Sequence, residues 1–221
     1  MCFLMKKKLN VLHITSKKGH KELIELFLSK NIIDINQLSR EKVIIDNKFP
    51  GIDNKSALHY ACEKGNPEIV QILLSQKNIE VNRFEMRNYF VIQCREFVYN
   101  RKRSPLVIAV YKGNCEIVKL LLSKNEIDVN YMFSSTIKRE DDTLAKHESK
   151  GILSIAIEKG FIDIIHLLLA RKDIDLNIEN VYKQYNTYSY PYEMIKEEKK
   201  SIKDISNEKG NQQIINLLSL N

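Results

Sequence analysis

The sequence SALHYACEKGNPEIVQILLSQKNIEVN, residues 56–82, decides the fold because close copies of it recur along the chain. One copy, SPLVIAVYKGNCEIVKLLLSKNEIDVN, occupies residues 104–130. Alignment on the Lys-Gly pair in each copy gives four gapless units of 27 residues, 10–36, 56–82, 104–130 and 151–177, and a shorter fifth unit, 201–221. Self-similarity at a fixed long spacing predicts a solenoid, because each unit must bury its apolar face on its neighbours.

Each unit is predicted to fold as two short helices joined by a tight turn. In residues 56–82, Leu58 and Ala61 lie on one face of the first helix, as the 3.6-residue period requires. Gly65 can adopt the left-handed conformation that ends a helix, and Asn66 before Pro67 is a typical helix start. The second helix is apolar except for one polar residue at the same place in each full unit: Glu25, Gln71, Lys119 and His166. Each full unit then closes on an Asn, which is a turn-forming residue.

These units resemble ankyrin repeats. The residues SALH at 56–59 and SPLV at 104–107 are similar to the Thr-Pro-Leu-His motif that opens the repeat of that family, and EIDVN at 126–130 resembles its end. The resemblance covers 129 of 221 residues, four units of 27 and one of 21. It implies an all-α repeat solenoid of stacked helix-turn-helix units with enlarged β-hairpin or loop fingers. We expect a single domain, 1–221, in which the fifth unit caps the stack with polar residues.

Two histidines at the start of first helices are interpreted as structural. His13 and His59 hold the histidine position of the motif, where the resemblance implies that the ring makes hydrogen bonds. The fourth and fifth units carry Ser154 and Asp204 there, so the same hydrogen bonds are not expected in them.

The connections between units are unusually long. Ankyrin-type repeats run about 33 residues, whereas the unit starts here are 46, 48, 47 and 50 residues apart. The connectors 37–55, 83–103, 131–150 and 178–200 therefore contain 19, 21, 20 and 23 residues. In the ankyrin family this connector is a β-hairpin finger beside the concave surface, so four enlarged fingers are predicted. Insertions repeated in every unit of a solenoid lie on one face, which is often the binding face.

Aromatic and basic side chains on the fingers and first helices are candidates for contact with a partner. The second finger carries a net charge of +4, six Arg or Lys against two Glu, and the fourth holds five of the ten tyrosines. The alternative is that finger aromatics pack against one another. The predicted partner-binding residues are Tyr89, Phe90, Phe97, Tyr99, Arg101, Lys102, Arg103, Tyr111, Lys112, Tyr131, Phe133, Tyr185, Tyr188 and Tyr190.

A lysine precedes every repeat glycine: Lys18, Lys64, Lys112, Lys159 and Lys209. Stacking would align them in a column on the concave side, where they would form a basic surface. Their position has a second explanation, because a cation in the last turn of a helix interacts favourably with the helix dipole.

Several classes of activity lack their sequence signatures. The chain contains no glycine-rich phosphate loop, no H-E-x-x-H, no G-x-S-x-G and no EF-hand loop. We therefore expect no catalytic residues, no cofactor and no enzyme activity. The four cysteines form no C-x-x-C pair and no zinc-ligand spacing, so they are expected to be reduced core residues without a metal.

The sequence predicts a non-enzymatic protein–protein interaction module, a scaffold or adaptor that presents its first helices and fingers to an unidentified protein partner. The net charge of +7 leaves nucleic-acid binding as the alternative, through the basic finger 83–103 and the lysine column. A substrate adaptor within a larger assembly is a third interpretation. We expect a monomer without a membrane partner. A cytoplasmic location is predicted, with a nuclear one as the alternative if residues 101–103 act as a targeting signal.

Overall fold

The computed structural model describes residues 9–45, 49–90, 98–137, 144–186 and 193–219. Within these ranges, helix pairs alternate with β-hairpins along the chain. The helices are α1 (Val11–Lys18), α2 (Lys21–Ser29), α3 (Ala57–Lys64), α4 (Pro67–Leu74), α5 (Pro105–Lys112), α6 (Cys115–Leu122), α7 (Ile152–Lys159), α8 (Ile162–Leu169), α9 (Ile202–Lys209) and α10 (Gln212–Ser219). The strands are β1 (Glu41–Ile45), β2 (Phe49–Asn54), β3 (Glu85–Phe90), β4 (Val98–Arg103), β5 (Met132–Ile137), β6 (Leu144–Gly151), β7 (Asn180–Asn186) and β8 (Glu193–Lys200).

The helix ends form as the sequence predicts. All five repeat glycines have positive φ, between 62° and 84°. Gly113 is constrained a second time, since a Cβ there would lie 2.8 Å from the ring of Phe161 in the next unit. Asn66 begins α4 by accepting a hydrogen bond from the backbone N–H of Ile69 at 3.2 Å. The turn between the two helices of a unit is therefore encoded by local residues.

One hydrophobic core runs through all five units. Ala61, Ala109 and Ala156 are fully buried in the first helices. Successive first helices contact each other along the stack, α1 with α3, α3 with α5, α5 with α7 and α7 with α9. The methyl group of alanine leaves room for this close approach.

The Asn that closes a unit also binds the next unit. Asn36 accepts a hydrogen bond from the N–H of Glu80 at 2.9 Å and donates one to the carbonyl of Asn78 at 2.6 Å. Asn82 and Asn130 repeat both bonds with their following units. These side chains therefore connect neighbouring units as well as forming turns.

The connectors pair into one antiparallel sheet of eight strands, in the order β1 to β8. Each hairpin pairs within itself and with the hairpins beside it. The expectation of a helical repeat solenoid with β-hairpin fingers is confirmed, but the description all-α is corrected. The fingers are long enough for backbone groups to find partners on both sides, so four hairpins become a continuous sheet.

Candidate partner-binding surface

A row of residues crosses the sheet near its junction with the helices. The backbone register places these residues directly opposite one another, strand by strand: Glu41, Asp53, Arg87, Arg101, Ser135, Glu148, Tyr182 and Glu198. We call them the central row. Glu41 contacts Lys17 of α1, with Nζ and Oε1 3.0 Å apart, and Tyr182 donates a hydrogen bond to Glu158 of α7 at 2.9 Å. The central row therefore lies where the sheet meets the first helices, and we call the surface along this junction the groove.

A buried ionic cluster occupies the groove at the base of the second finger. Glu85 in β3 accepts a hydrogen bond from Arg103 in β4. Arg101 and Lys55 also approach it, with nitrogen–oxygen distances of 3.6 Å and 3.7 Å. The side chains of Glu85, Arg103 and Lys55 are nearly inaccessible to solvent. Buried charges are tolerated only when they are paired, so this cluster is a structural element.

A base–acid pair recurs at the same place in three units. The base stands one residue before the unit and the acid eight residues later: Lys55 with Glu63 at 2.7 Å, Lys150 with Glu158 at 2.9 Å, and Lys200 with Glu208 at 2.7 Å. Each pair ties the last residue of a finger to the end of a first helix. The eight-residue spacing is present in the sequence and was the signal that could have identified these pairs.

The third unit departs from this pattern at Tyr111. Its base is Arg103, but Tyr111 of α5 stands where the second, fourth and fifth units have the acid and the first has Lys17. The side chain of Tyr111 is 44% exposed, and Nζ of Lys159 lies 4.5 Å from the centre of its ring. Among the side chains that the structure describes, the exposed aromatic ones are Phe84 and Tyr111. Large amphipathic rings of this kind are the common anchors of protein interfaces.

Two other tyrosines support the groove from within. Tyr60 donates a hydrogen bond to Glu41 at 2.9 Å and also meets the hydroxyl of Ser39 at 3.1 Å. The ring of Tyr182 lies between Lys150 and Lys200, whose Nζ atoms are 5.2 Å and 5.5 Å from its centre. Burial raises the pKa of both phenols, so they remain hydrogen-bond donors at neutral pH.

The two motif histidines are structural, as predicted. Nδ1 of His13 accepts a hydrogen bond from the N–H of Asn10 at 3.0 Å, and its Nε2 lies 2.7 Å from the carbonyl of Gln37 in the first finger. Nδ1 of His59 likewise accepts from the N–H of Ser56 at 3.2 Å. Burial lowers the pKa of His59 to about 3 and also lowers that of His13, so both rings are neutral at pH 7.

Comparison with family models identifies the repeats. A model of ankyrin repeats, built from three copies, matches residues 2–85 and 88–180. The chain belongs to the ankyrin-repeat family. A search of curated proteins finds no match. Ankyrin repeats are generally protein–protein interaction modules and are typically not enzymes.

Two residues predicted to bind a partner are inside this ankyrin-repeat protein. Phe133 is buried in the core that runs through the stack, and Arg103 is buried against Glu85. Tyr131 is half-buried and packs on the same core, where burial raises the pKa of its phenol. The candidate set is corrected accordingly: Phe133 and Arg103 are inaccessible in the folded stack, because one fills the core and the other neutralises a buried carboxylate.

Other members of the set lie nearer the surface. Tyr111 and Lys112 are exposed at the end of α5. Arg101 is partly buried beside Glu85, and Nζ of Lys102 lies 5.4 Å from the centre of the Phe84 ring. Tyr185 is partly buried in β7. The basic run 101–103 is therefore engaged within the protein to a large extent.

The remaining aromatics lie in the second and fourth fingers. Tyr89 and Phe90 belong to β3, and Tyr99 belongs to β4, directly opposite Tyr89 in the register. The structure describes the backbone of these three residues but not their side chains. Phe97, Tyr188 and Tyr190 lie outside the described residues.

The five lysines of the predicted column are all exposed at the last turns of first helices. At this position their positive charges interact favourably with the helix dipole, and the ammonium groups remain accessible.

In the part of the chain that the structure describes, no three His, Cys, Asp or Glu side chains form a group able to hold a metal ion. Among the described residues, no helix is both long and apolar enough to cross a membrane.

Proposed function

We propose that this ankyrin-repeat protein is a non-enzymatic scaffold or adaptor that binds an acidic segment of a protein partner at the edge of the groove centred on Tyr111. The observation that carries the proposal is the break in the repeated base–acid pairs at the third unit. There the acid is replaced by an exposed aromatic ring, flanked by the exposed Lys112 and Lys159.

The charges around Tyr111 favour an acidic partner. Neighbouring first helices end in Lys64, Lys112 and Lys159, and the described residues supply none of these ammonium groups with an ion pair. An acidic segment crossing these helix ends would meet one lysine per unit and the ring of Tyr111 near the middle. Electrostatic complementarity would steer association, and the ring would supply the desolvated anchor.

The finger charges give less support to nucleic-acid binding than the sequence suggests. Arg101 and Arg103 approach Glu85, and Lys102 lies over Phe84. Among the described residues of this basic surface, the lysine column is what remains, so we keep nucleic acid as an outcome of the test.

A cytoplasmic location fits the free thiols of Cys62 and Cys115, since cytosolic proteins rarely form disulfides.

The test compares the intact chain with Tyr111→Ala as baits in extracts of the native cell. Lys119→Ala is the matched control, because Lys119 is exposed on the second helix of the same unit. We expect Tyr111→Ala to reduce the captured partner by roughly tenfold or more, and Lys119→Ala to leave it unchanged. Point variants are preferable to shortening the second finger, which would remove Glu85 and its buried partners.

Two outcomes would contradict the proposal. Equal capture by all three baits would place the binding surface elsewhere. Capture that is lost after nuclease treatment and falls steeply with salt would identify a nucleic-acid ligand instead.

A further inference from the structure

The two ends of the stack differ in the polarity of their outer faces. At the first end, Ile14 of α1 and Leu23 and Leu26 of α2 are 41%, 43% and 50% exposed. We call these three residues the first-unit face. At the other end, Lys203 and Asn207 are exposed on α9. The residues aligned with these two in the four preceding units are all buried: Leu12 and Ser16, Leu58 and Cys62, Leu106 and Val110, and Leu153 and Ile157. Among the residues that the structure describes, the last unit is therefore covered by polar residues and the first unit is not.

Two of the three residues of the first-unit face occupy positions that the later units bury, and the third, Leu26, aligns with the partly buried Ile72, Leu120, Leu167 and Leu217. The residues aligned with Ile14 are Tyr60, Ile108, Ile155 and Ile205, and all are buried. Those aligned with Leu23 are Ile69, Ile117, Ile164 and Ile214, and they are buried as well. The stack buries these positions wherever a preceding unit is present. Apolar side chains grouped on one exposed surface mark an interaction site.

We infer that the first-unit face binds the same face of a second copy of this chain, forming a two-fold symmetric dimer in place of the monomer expected from the sequence. This surface differs from the groove at Tyr111, and the inference does not depend on the proposed function. A head-to-tail stack would press the apolar face against the polar outer face of the fifth unit, with Lys203 and Asn207. A two-fold arrangement instead buries apolar residues of one copy against apolar residues of the other.

The charges of α2 fit an antiparallel pairing of this helix with itself. Glu22, Leu26 and Lys30 are spaced by four residues and so form one stripe along the helix. If two copies of α2 cross antiparallel at Leu26, Glu22 of each copy faces Lys30 of the other. Glu22 and Lys30 are both exposed, and the described residues provide neither with an ion-pair partner. Each acidic first turn would also lie beside the C-terminal end of the opposite helix dipole.

Sedimentation equilibrium of the full chain, residues 1–221, tests the dimer between roughly 1 and 200 µM, where specific interfaces of moderate size are usually populated. We expect the mass to rise from one chain to two over this range. Leu26→Lys places two like charges at the symmetry axis and is expected to weaken association roughly thirtyfold. The matched control is Ile195→Lys, an equally exposed apolar residue in β8, and it is expected to leave association unchanged.

Exchanging the charges of Glu22 and Lys30 tests the dimer without removing any apolar surface. Glu22→Lys alone and Lys30→Glu alone are each expected to weaken association about fivefold, since two symmetric ion pairs are lost. The double variant restores the pairs with opposite sign and is expected to regain most of the affinity. A monomer at every concentration, or a dimer that Leu26→Lys leaves intact while Ile195→Lys disrupts it, would overturn the inference. A dimer whose affinity the double variant fails to recover would overturn the antiparallel arrangement.

Discussion

The bases of the first and fourth fingers use the same base–acid pair at different depths. At the first, Lys55 and its neighbours Glu85 and Arg103 of the second finger are shielded from water. At the fourth, Lys200 pairs with Glu208, and their side chains are 21% and 55% exposed. The comparison teaches that a repeated contact has no fixed energetic value. Burial makes the removal of one charge costly, whereas water and salt screen the exposed pair.

The largest expected effect is at the centre of the buried cluster. Glu85→Gln removes the carboxylate that faces Arg103, Arg101 and Lys55, and so leaves the buried Arg103 without its nearest counter-charge, while Glu63 still pairs with Lys55. We expect the free energy of unfolding to fall by about 3–5 kcal/mol, measured by urea denaturation. The matched variant at the base of the fourth finger, Glu208→Gln in α9, is expected to change stability too little to measure. A small effect of Glu85→Gln would show that water reaches the cluster and would remove the contrast between the fingers.

A second variant separates charge from packing at the same place. Replacement of Glu85 and Arg103 together by Leu and Met removes both charges and keeps apolar volume. Because a buried pair can be replaced by apolar residues at little cost, we expect this double variant to be more stable than Glu85→Gln. The reverse order would mean that the remaining charges of the cluster need this pair.

The next effect concerns pH and the second unit. The folded pKa of His59, about 3, lies below the unfolded value of 6.5, so the unfolded state binds a proton that the folded state does not. Stability is therefore expected to fall as pH decreases from 6.5, by up to about 1.4 kcal/mol per pH unit for this group. Urea denaturation between pH 7 and 5 measures the slope.

The His59→Gln variant is the control for this pH dependence. It lacks the titrating ring, and we expect a flatter profile with a residual slope from His13 and His147, whose pKa values are also lowered by burial. An unchanged slope would show that other groups control the acid sensitivity.

The fifth unit has Asp204 at the equivalent position, where a hydrogen bond from Ser201 lowers the pKa of the carboxyl. The contribution of Asp204 to stability is present above the usual pKa of Asp and is lost only at lower pH. The second and fifth units therefore lose stability over different pH ranges.

The smallest expected effects compare the two supporting tyrosines. Tyr182→Phe removes the hydrogen bond to Glu158 in a partly exposed part of the groove and is expected to cost about 0.5–1 kcal/mol. Tyr60→Phe removes bonds to Glu41 and Ser39 at a buried site and is expected to cost about 1–3 kcal/mol. Thermal or urea unfolding of both variants gives the order. A larger loss for Tyr182→Phe would show that the fourth finger depends on its polar contacts more than its exposure suggests.

The sequence predicted local features well because their causes lie within a few residues. The positive φ of Gly65, the cap formed by Asn66 and the hydrogen bond from the N–H of Ser56 to His59 each depend on groups no more than four residues away. The apolar period of each helix likewise indicated which face would be buried. The all-α description was too narrow because strand pairing joins residues of different connectors, such as Gly51 with Tyr89. The local sequence around either residue of such a pair does not indicate which residue it will pair with.

The candidate surface was predicted less completely than the fold. Residue type suggested that Arg103 and Phe133 would contact a partner, but both are buried. Tyr111 was selected for the same reason and is exposed. The difference is set by register and stacking, since Arg103 lies opposite Glu85 across a hairpin whereas Tyr111 stands at the open end of a helix.

The sequence by itself determined the number of units, their boundaries, the helix ends and the long fingers. All of these follow from short-range conformational preferences repeated in register. The tertiary structure alone decided that four fingers form one sheet, that Glu85 of the second finger faces buried basic groups, and that the first unit exposes an apolar face. Those features depend on which distant groups become neighbours, and on how much water remains between them once the units have stacked.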